Sequence, residues 1–484
     1  MGQNSIYNTI KIERERGTPV YLQIVNTLIK EIQSGRLRPG TKMMGIKSLA
    51  TLLNVNKNTI EKVYTELELQ QWIKRIPRKG TFVSEKLPDF KPKNWNNQRE
   101  RTVKRSSKNY SENSISVFTT KSKKALIFDG GLPDHRIIDN QAIARAHRNV
   151  LKADRYTTLF SYTNAYGDTM LRKELVKHLN DTRGIPCDEE NILITRGSQM
   201  AIFLGMRILL KNNEIAIVSN PCYFGTTNVL EYIGANVLTV SVDEEGLVVD
   251  EIEDICKKNK VKVIYVTSHH HHPTTVSLSP SRRMSLLKLA EIHGFYIIED
   301  DYNYDFHYDN APLLPLSSLD GLTNTIYTGS FSKTIGPGLR IGYLLADKKI
   351  IEKAVKIREV IDFQGNPIME RAMGVLLQQG EIDRMLRRSR NIYMQRRDYL
   401  CEILNTLFSE EIDFKIPEGG LAVWAKFNES INLMEVYERA LAKNLNIVLT
   451  PYYAPSHNAT RLGFASLTFS EMEKYMGVLK SVLI

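Results

Sequence analysis

The chain has 484 residues, enough for more than one hydrophobic core, and its 42% hydrophobic and 25% charged content is that of an ordinary globular protein. The net charge of +11 is confined to one end: residues 1–125 carry 25 Lys/Arg against 10 Asp/Glu, whereas residues 126–484 carry 40 against 44, so a polyanionic partner is expected for the first quarter only. No long apolar run opens or interrupts the sequence, and Cys187, Cys222, Cys256 and Cys401 lack ligand-type spacing. A signal peptide, a membrane span, a disulfide framework and a zinc knuckle are not expected, and a cytoplasmic protein is.

In chain order, Pro19 to Ser34 places Val20, Ile24, Leu28 and Ile32 near helical spacing, and Gly35 follows as a stop. Residues 46–53 and 57–70 give two further helical patterns around the turn Asn54-Val55-Asn56, and residues 72–83 read as two short strands about a Pro/Arg/Lys/Gly turn. Three helices and a hairpin predict a winged helix-turn-helix within residues 12–84. Residues 85–124 are rich in Lys, Arg, Ser, Asn and Pro, and cannot bury enough apolar area to order themselves. A flexible basic linker is expected there, with a root-mean-square span of ~35 Å that frees the head to dock away from its own body. Over residues 125–484, β-rich runs at 192–195, 214–218, 261–267, 296–298 and 324–328 alternate with helical patterns such as 198–210 and 280–293. An α/β fold with a mostly parallel sheet follows. Residues 350–407 read as helical, and 412–484 as a smaller C-terminal subdomain.

Recognition groups sit at defined places in the head. Lys57, Asn58 and Thr59 open the second helix of the pair, whose first residues reach base edges in the major groove of double-stranded DNA. Lys47 and the wing residues Arg78, Lys79 and Thr81 are placed for flanking phosphates. A helical hairpin for protein contacts is the alternative, and charge and wing together argue against it. The run from Met44 to Leu67, followed by Lys79-Gly80-Thr81-Phe82-Val83, resembles the GntR-type helix-turn-helix and its wing. Lys47 and Lys57 stand where that family usually has arginine, and Gln71 and Arg78 where it usually has glycine.

A different chemistry follows downstream. In Tyr327-Thr-Gly-Ser330-Phe-Ser332-Lys333-Thr-Ile-Gly-Pro-Gly-Leu-Arg340 a lysine is framed by small hydroxyls, glycines and an arginine, which suits Schiff-base chemistry on a phosphorylated aldehyde. Partial desolvation in that nearly charge-free loop would lower the lysine's pKa and favour the amine. Glu299-Asp300-Asp301-Tyr302 ends a β-rich run with acids that can face a ring nitrogen; a helix cap or a solvated turn is the structural alternative. Thr195-Arg-Gly197-Ser198-Gln199 is a strand-to-helix turn of the phosphate-binding kind, with Ser198 and Gln199 at the helix start. Tyr223, after Asn220-Pro-Cys, offers an aromatic cover for a ring or is a core tyrosine. His269 to His272 invite a metal, but neighbours on an extended loop point in opposing directions and no acid or cysteine follows at ligand spacing. No metal is expected; a hydrogen bond to a cofactor from His272 or His270 is.

These segments, in this order, resemble the fold-type I aminotransferases that depend on pyridoxal 5'-phosphate (PLP) over residues 126–484. With the GntR-type head they resemble the MocR/GabR subfamily of regulators. The resemblance implies Lys333 as the catalytic, cofactor-bearing lysine, Asp300 on the pyridinium, Tyr302 on the phenolic oxygen and Tyr223 over the ring. It places Ser198, Gln199, Ser330, Ser332 and Arg340 at the phosphate. Arg461, in Thr460-Arg-Leu-Gly-Phe, would grip an effector carboxylate, with a structural salt bridge as its alternative. Tyr162 resembles the tyrosine that reaches the neighbouring protomer's phosphate, although Thr163-Asn-Ala165 replaces the usual Gly-Asp-Pro. Thr275 likewise stands where a glycine is usual. The implied function is a PLP-carrying transcriptional regulator that responds to an amino compound, or to PLP itself. It would act as a homodimer, probe two half-sites with two heads, and dock each head on the other protomer. The competing expectation is a working aminotransferase with a regulatory head. No membrane partner is implied.

Overall fold

The computed structural model describes residues 4–7, 10–14, 19–85, 87, 126–153, 159–309, 311–447 and 457–483. The expected linker, apart from Glu85 and Leu87, lies outside the described residues. The chain divides into two compact units, Met1–Ser111 and Glu112–Ile484.

The first unit contains helices α1 (Asn4–Tyr7), α2 (Val20–Gln33), α3 (Ile46–Leu53) and α4 (Lys57–Leu69), and strands β1 (Ile73–Ile76) and β2 (Gly80–Val83). One core holds it together: Ile24, Leu28 and Ile32 of α2, Leu49 of α3, and Ile60, Val63, Tyr64 and Leu67 of α4 are buried with Trp72, Ile73 and Val83. The spacing of these side chains is what makes each helix amphipathic. The Asn56 side chain accepts from the Asn58 backbone N–H at 2.9 Å, a cap that fixes where α4 begins. β1 and β2 pair antiparallel, Ile73 opposite Val83 and Ile76 opposite Gly80. Gln71 (φ +63°) and Arg78 (φ +62°) occupy the left-handed region. Glycine reaches that region without steric cost and other L-residues do not, so the two departures from the GntR pattern are positions of local strain.

The second unit is built on an eight-stranded sheet. The strands of the whole unit, in chain order, are β3 (Leu126–Phe128), β4 (Ile192–Thr195), β5 (Ile215–Asn220), β6 (Asn236–Asp243), β7 (Gly246–Leu247), β8 (Val261–Val266), β9 (Tyr296–Asp300), β10 (Thr325–Ser330), β11 (Gly342–Leu345), β12 (Ile412–Asp413), β13 (Ala422–Phe427), β14 (Leu445–Ile447) and β15 (Ala459–Gly463). The helices are α5 (Asn140–Lys152), α6 (Thr169–Arg183), α7 (Ser198–Leu209), α8 (Phe224–Ile233), α9 (Val249–Lys258), α10 (Pro280–His293), α11 (Leu316–Asp320), α12 (Lys348–Ile361), α13 (Pro367–Gln378), α14 (Glu381–Leu407), α15 (Leu433–Ala442) and α16 (Phe469–Leu483).

The large sheet runs β4-β11-β10-β9-β8-β5-β6-β7. Its β10-β9-β8-β5-β6 core is parallel, while β11 runs antiparallel between β4 and β10. Alternate residues of β4, β10 and β11 enter opposite cores. Leu193, Ile326 and Leu344 pack with α7 and α12, whereas Ile192, Ile194, Tyr327, Tyr343 and Leu345 pack with α5, α6 and α13. Both faces are therefore covered, which is why these strands read as continuous apolar runs. A second sheet, β12-β13-β15, is antiparallel, and β14 pairs with β3 from the start of the unit. The C-terminal ends of β4, β5, β8, β9 and β10 lie along one edge of the large sheet, where open α/β sheets bind ligands.

Candidate functional site

In the first unit, α4 presents Lys57 and Asn58 to solvent, with Thr59 half-buried; Lys47 on α3 and Arg78 and Lys79 in the turn of the wing are exposed, and Thr81 is half-buried. The hairpin is pinned to α4 by Arg75, whose Nε lies 3.2 Å from Glu68 Oε2 and whose Nη2 donates to Thr65 Oγ1 at 3.0 Å. The sequence reading missed Lys42. It bridges antiparallel to Phe82, and it stands exposed beside Gly80 at the base of the wing. The signal was present in the basic run Leu37 to Lys42, whose register against the wing only the pairing reveals.

In the second unit a cavity of about 210 Å³ opens at the strand ends. It gathers ten of the predicted side chains: Ser198, Gln199, Tyr223, His272, Asp300, Tyr302, Ser330, Ser332, Lys333 and Arg340. Lys333 is half-buried, and its Nζ donates to the Gly131 carbonyl at 2.5 Å. Burial first, and the Arg461 charge second, lower its pKa from the ordinary lysine value to about 8, against an opposing pull from Asp129. Asp300 stands at the end of β9, its Oδ2 accepting from Tyr265 Oη (2.8 Å) and its Oδ1 from Thr328 Oγ1 (3.1 Å). Burial pushes its carboxyl up to about 6 despite those two donors.

At the other end of the cavity, Gly197 (φ +82°) caps α7 and leaves Ser198 and Gln199 in the first helical turn. A Cβ at Gly197 would come within 2.9 Å of Arg340 Nη2, so only glycine leaves the guanidinium its place over the turn. Arg340 donates to the Arg196 carbonyl, and Ser330 Oγ donates to Ser332 Oγ at 2.8 Å. Gln199 Nε2 donates to the Gly225 carbonyl at 2.8 Å, while its Oε1 is buried with no hydrogen-bond partner. Two serine hydroxyls, a helix start and an arginine thus converge on one cup.

The other predicted residues are placed as follows. The Tyr302 hydroxyl donates to the His270 carbonyl at 3.1 Å, and its ring lies 5.9 Å from Lys333 Nζ. Tyr223 meets the edge of His272 with ring centroids 5.2 Å apart. Arg461 on β15 is buried beside the cavity, with Nε donating to Gly130 O (2.9 Å) and Nη1 to Pro273 O (3.0 Å). No acid among the described residues lies in ion-pair contact with it, so the structural salt bridge weighed for this residue does not form. Tyr162 does not join the cavity: it is 87% exposed and packs against Phe363, centroids 5.8 Å apart.

The four histidines diverge. His269 Nδ1 lies 3.2 Å from Asp301 Oδ1 and its Nε2 meets Leu313 O; His271 bridges Ser219 and Thr274; His272 faces the cavity. Burial lowers His270 and His271 to about 3 and holds His272 well below the ordinary histidine value, so all three are neutral. Burial alone would raise Asp301, but His269, Arg183 and Tyr327 outweigh it and hold its carboxyl below the ordinary range. Thr275 has φ +64°, which explains why a glycine is usual there. The cavity wall from Gly130 and Gly131 was missed, because backbone carbonyls leave no side-chain signature; the only cue was the glycine pair after Asp129.

An exposed cationic helix-turn-helix and a lysine-bearing cavity at the strand ends of a doubly covered α/β sheet define a DNA-reading module joined to an aminotransferase-type body. Residues 133–479 match the family model for aminotransferase class I and II, and residues 20–83 that for bacterial regulatory proteins of the gntR family. The HTH-type transcriptional regulator TauR of Rhodobacter capsulatus is 30% identical, over 90% of this chain and 90% of its own. The regulator NorG of Staphylococcus aureus is 29% identical, over 88% and 95%. Among solved structures, the multiple substrate aminotransferase of Thermococcus profundus aligns with a TM-score of 0.71 at 25% identity, over 77% of this chain and 97% of that one. The kynurenine aminotransferase of Pyrococcus horikoshii gives 0.71 at 26%, over 77% and 96%. The chain belongs to the aminotransferase class I and II family and carries a gntR-family head: it is a DNA-binding transcriptional regulator with an aminotransferase-like effector domain. No helix among the described residues is long and apolar enough to cross a membrane.

Proposed function

We propose that this regulator carries PLP in the Lys333 cavity and uses it to sense an amino compound bearing a carboxylate. The observation that carries this reading is the half-buried Lys333, with its pKa lowered to about 8, sharing one cavity with Asp300 and the Ser330–Arg340 cup. The residues fit the group: Ser330, Ser332 and Arg340 offer donors to an anion, and Gly197 keeps the anion cup open. The Pyrococcus aminotransferase was solved with PMP, the amine form of the same cofactor. When bound, PLP supplies an aldehyde that captures amines and a ring that withdraws electrons.

The chain's own residues divide the remaining work. Lys333 would hold the aldehyde carbon, and its lowered pKa keeps a share of it as the nucleophilic amine near neutral pH. Asp300, oriented by Tyr265 and Thr328, would keep a proton on the ring nitrogen. Ser330, Ser332, Arg340 and the start of α7 would take the phosphate. Tyr223 and His272 would border the ring. Arg461 is a buried cation satisfied only by carbonyls, an arrangement that an incoming carboxylate completes.

We further propose a homodimer in which each body receives a neighbour's Tyr162. An exposed apolar group supports this: Phe160, Tyr162, Val360 and Phe363 are each more than 60% exposed. Two heads would then read two half-sites, each docking on the other protomer, with a linker at residues 85–124 between domains at 12–84 and 125–484.

The test is spectroscopic and functional together. PLP-saturated protein should show an absorbance band that Lys333→Ala abolishes, while DNA binding by the variant persists. An amino compound should alter the footprint of the wild type and not that of Lys333→Ala. Sustained turnover of an amino donor with a keto acid would replace the sensor reading with the enzymatic one.

A further inference from the structure

A second cavity, of about 550 Å³, opens between the C-terminal end of α6, the loop that follows β9, and α14. Arg387 and Arg390, one turn apart on α14, both line it. Two acids line it, of which Asp305 is committed elsewhere and Asp383 is half-exposed. Asp305 is paired with the buried Arg183, Nη2 to Oδ1 at 2.9 Å, and Arg183 also covers the Tyr304 ring at 4.5 Å. Arg183 Nη1 lies 3.2 Å from His178 Nε2. Because arginine cannot accept, His178 uses Nε2 as the acceptor and turns Nδ1 toward Asp383, 3.9 Å away. Burial and the Arg183 charge lower the His178 pKa, in keeping with a neutral ring.

The two arginines are left over. Arg390 Nη2 donates to the Asp305 backbone carbonyl at 3.1 Å, and its Nε is buried without a hydrogen-bond partner. Arg387 is exposed at the rim. No acid among the described residues lies within ion-pair distance of either. A buried guanidinium donor with no acceptor is costly, and in native structures such a group points to an unseen partner. Leu314, Leu386 and Tyr304 add apolar surface to the lining.

We propose that this cavity binds a small organic anion, a carboxylate on an apolar body, whose charge Arg387 and Arg390 take while the body lies against Tyr304, Leu314 and Leu386. The site is separate from the Lys333 cavity and does not rest on the cofactor reading. It gives the regulator a second small-molecule input.

The test uses para-fluorobenzoate as probe, followed by fluorine NMR on the full chain saturated with PLP. Arg461→Gln serves as background, because it removes the carboxylate position proposed beside Lys333. In that background the probe should bind saturably, and Arg390→Gln should weaken it by about ten-fold or more. Arg387→Gln, a rim substitution that leaves the core untouched, should weaken it in the same direction. The Arg387→Gln comparison is repeated with Arg461 intact, where it should remove one binding component, so the answer survives a poorly folded Arg461→Gln. Inorganic phosphate should displace the probe only weakly. Absence of saturable binding, or binding indifferent to Arg387→Gln, overturns the proposal; displacement by an equal concentration of phosphate overturns the apolar-body assignment.

Discussion

The two units hold their functional cations in opposite ways. In the head, Lys47, Lys57, Arg78 and Lys79 are exposed, and none makes an ion pair among the described residues. In the body, Arg461 is buried and Lys333 half-buried, and both are bonded to backbone carbonyls. Exposed cations cost little to hold and act through the number of phosphates they neutralise, so their effect is graded and falls with salt. Buried cations carry a desolvation cost that a ligand of the right charge and shape offsets, so their effect is steep and specific. The head should therefore degrade by steps under single substitutions, and the cavity should fail abruptly.

The largest effect at the cavity is expected at Arg340, an exposed cation held against the cup by the Gly197 turn. Its guanidinium sits over the Gly197 turn, where a charge-assisted phosphate contact is worth about 1.5–3 kcal/mol. Arg340→Ala should weaken PLP binding by roughly 10–100-fold, read by equilibrium dialysis. A change of less than about three-fold would show that the phosphate lies elsewhere.

Lys333 supplies a pH dependence with a definite sign. Its pKa is lowered to about 8, by burial first and Arg461 second, so the amine fraction grows as pH rises through that value. The rate of PLP loading onto cofactor-free protein should rise with pH and level off above about 9, whereas an ordinary lysine would keep gaining to about 10.4. Arg461→Gln removes the second cause and should move the plateau to higher pH. A loading rate that is flat between about pH 7 and 9 would falsify the buried-amine assignment.

The head should respond more gently. Lys57→Ala should lower operator affinity by about 1–3 kcal/mol if it reads a base, and Lys42→Ala should reduce the salt slope by about 1 if it meets a phosphate. Filter binding across a salt series separates the two. An operator affinity that does not change in either variant would remove α4 and the wing base from the DNA interface.

The same contrast governs how much was legible in the sequence. Helix bounds in the head were readable almost to the residue, because each helix carries its own apolar stripe and α4 its own cap: 57–70 was expected and Lys57–Leu69 is found, started by Asn56. The strands 192–195 and 261–267 were readable as apolar runs for the same local reason. Strand β11 was not, since four residues that begin with a glycine become a strand only between β10 and β4, the latter far away in sequence. The side chains around the cavity carried motif signals. Its wall did not, because Gly130 and Gly131 contribute backbone from some 200 residues before Lys333. The divergence of the histidine run was foreseeable from extended geometry. The individual partners, Asp301, Ser219 and the cavity, were not.

The smallest effect isolates a cost that the head carries within its own backbone. α4 ends with Gln71 N–H on Glu68 O and Trp72 N–H on Leu67 O, the paired closure that puts its residue at φ +63°. α3 closes the same way, Asn54 N–H on Thr51 O and Val55 N–H on Ala50 O, with Asn54 at φ +50°. Asparagine tolerates this conformation far better than glutamine. Gln71→Gly should therefore relieve about 1–2 kcal/mol of strain while adding roughly 0.5–1 kcal/mol of unfolded-chain entropy. The net gain of about 0.5–1 kcal/mol would slow hydrogen exchange of the α4 amides about two- to five-fold in the full chain. Asn54→Gly should give no such gain, because there is little strain to relieve. Equal responses at the two positions would mean that the closure, and not the residue placed in it, sets the stability of the reading helix.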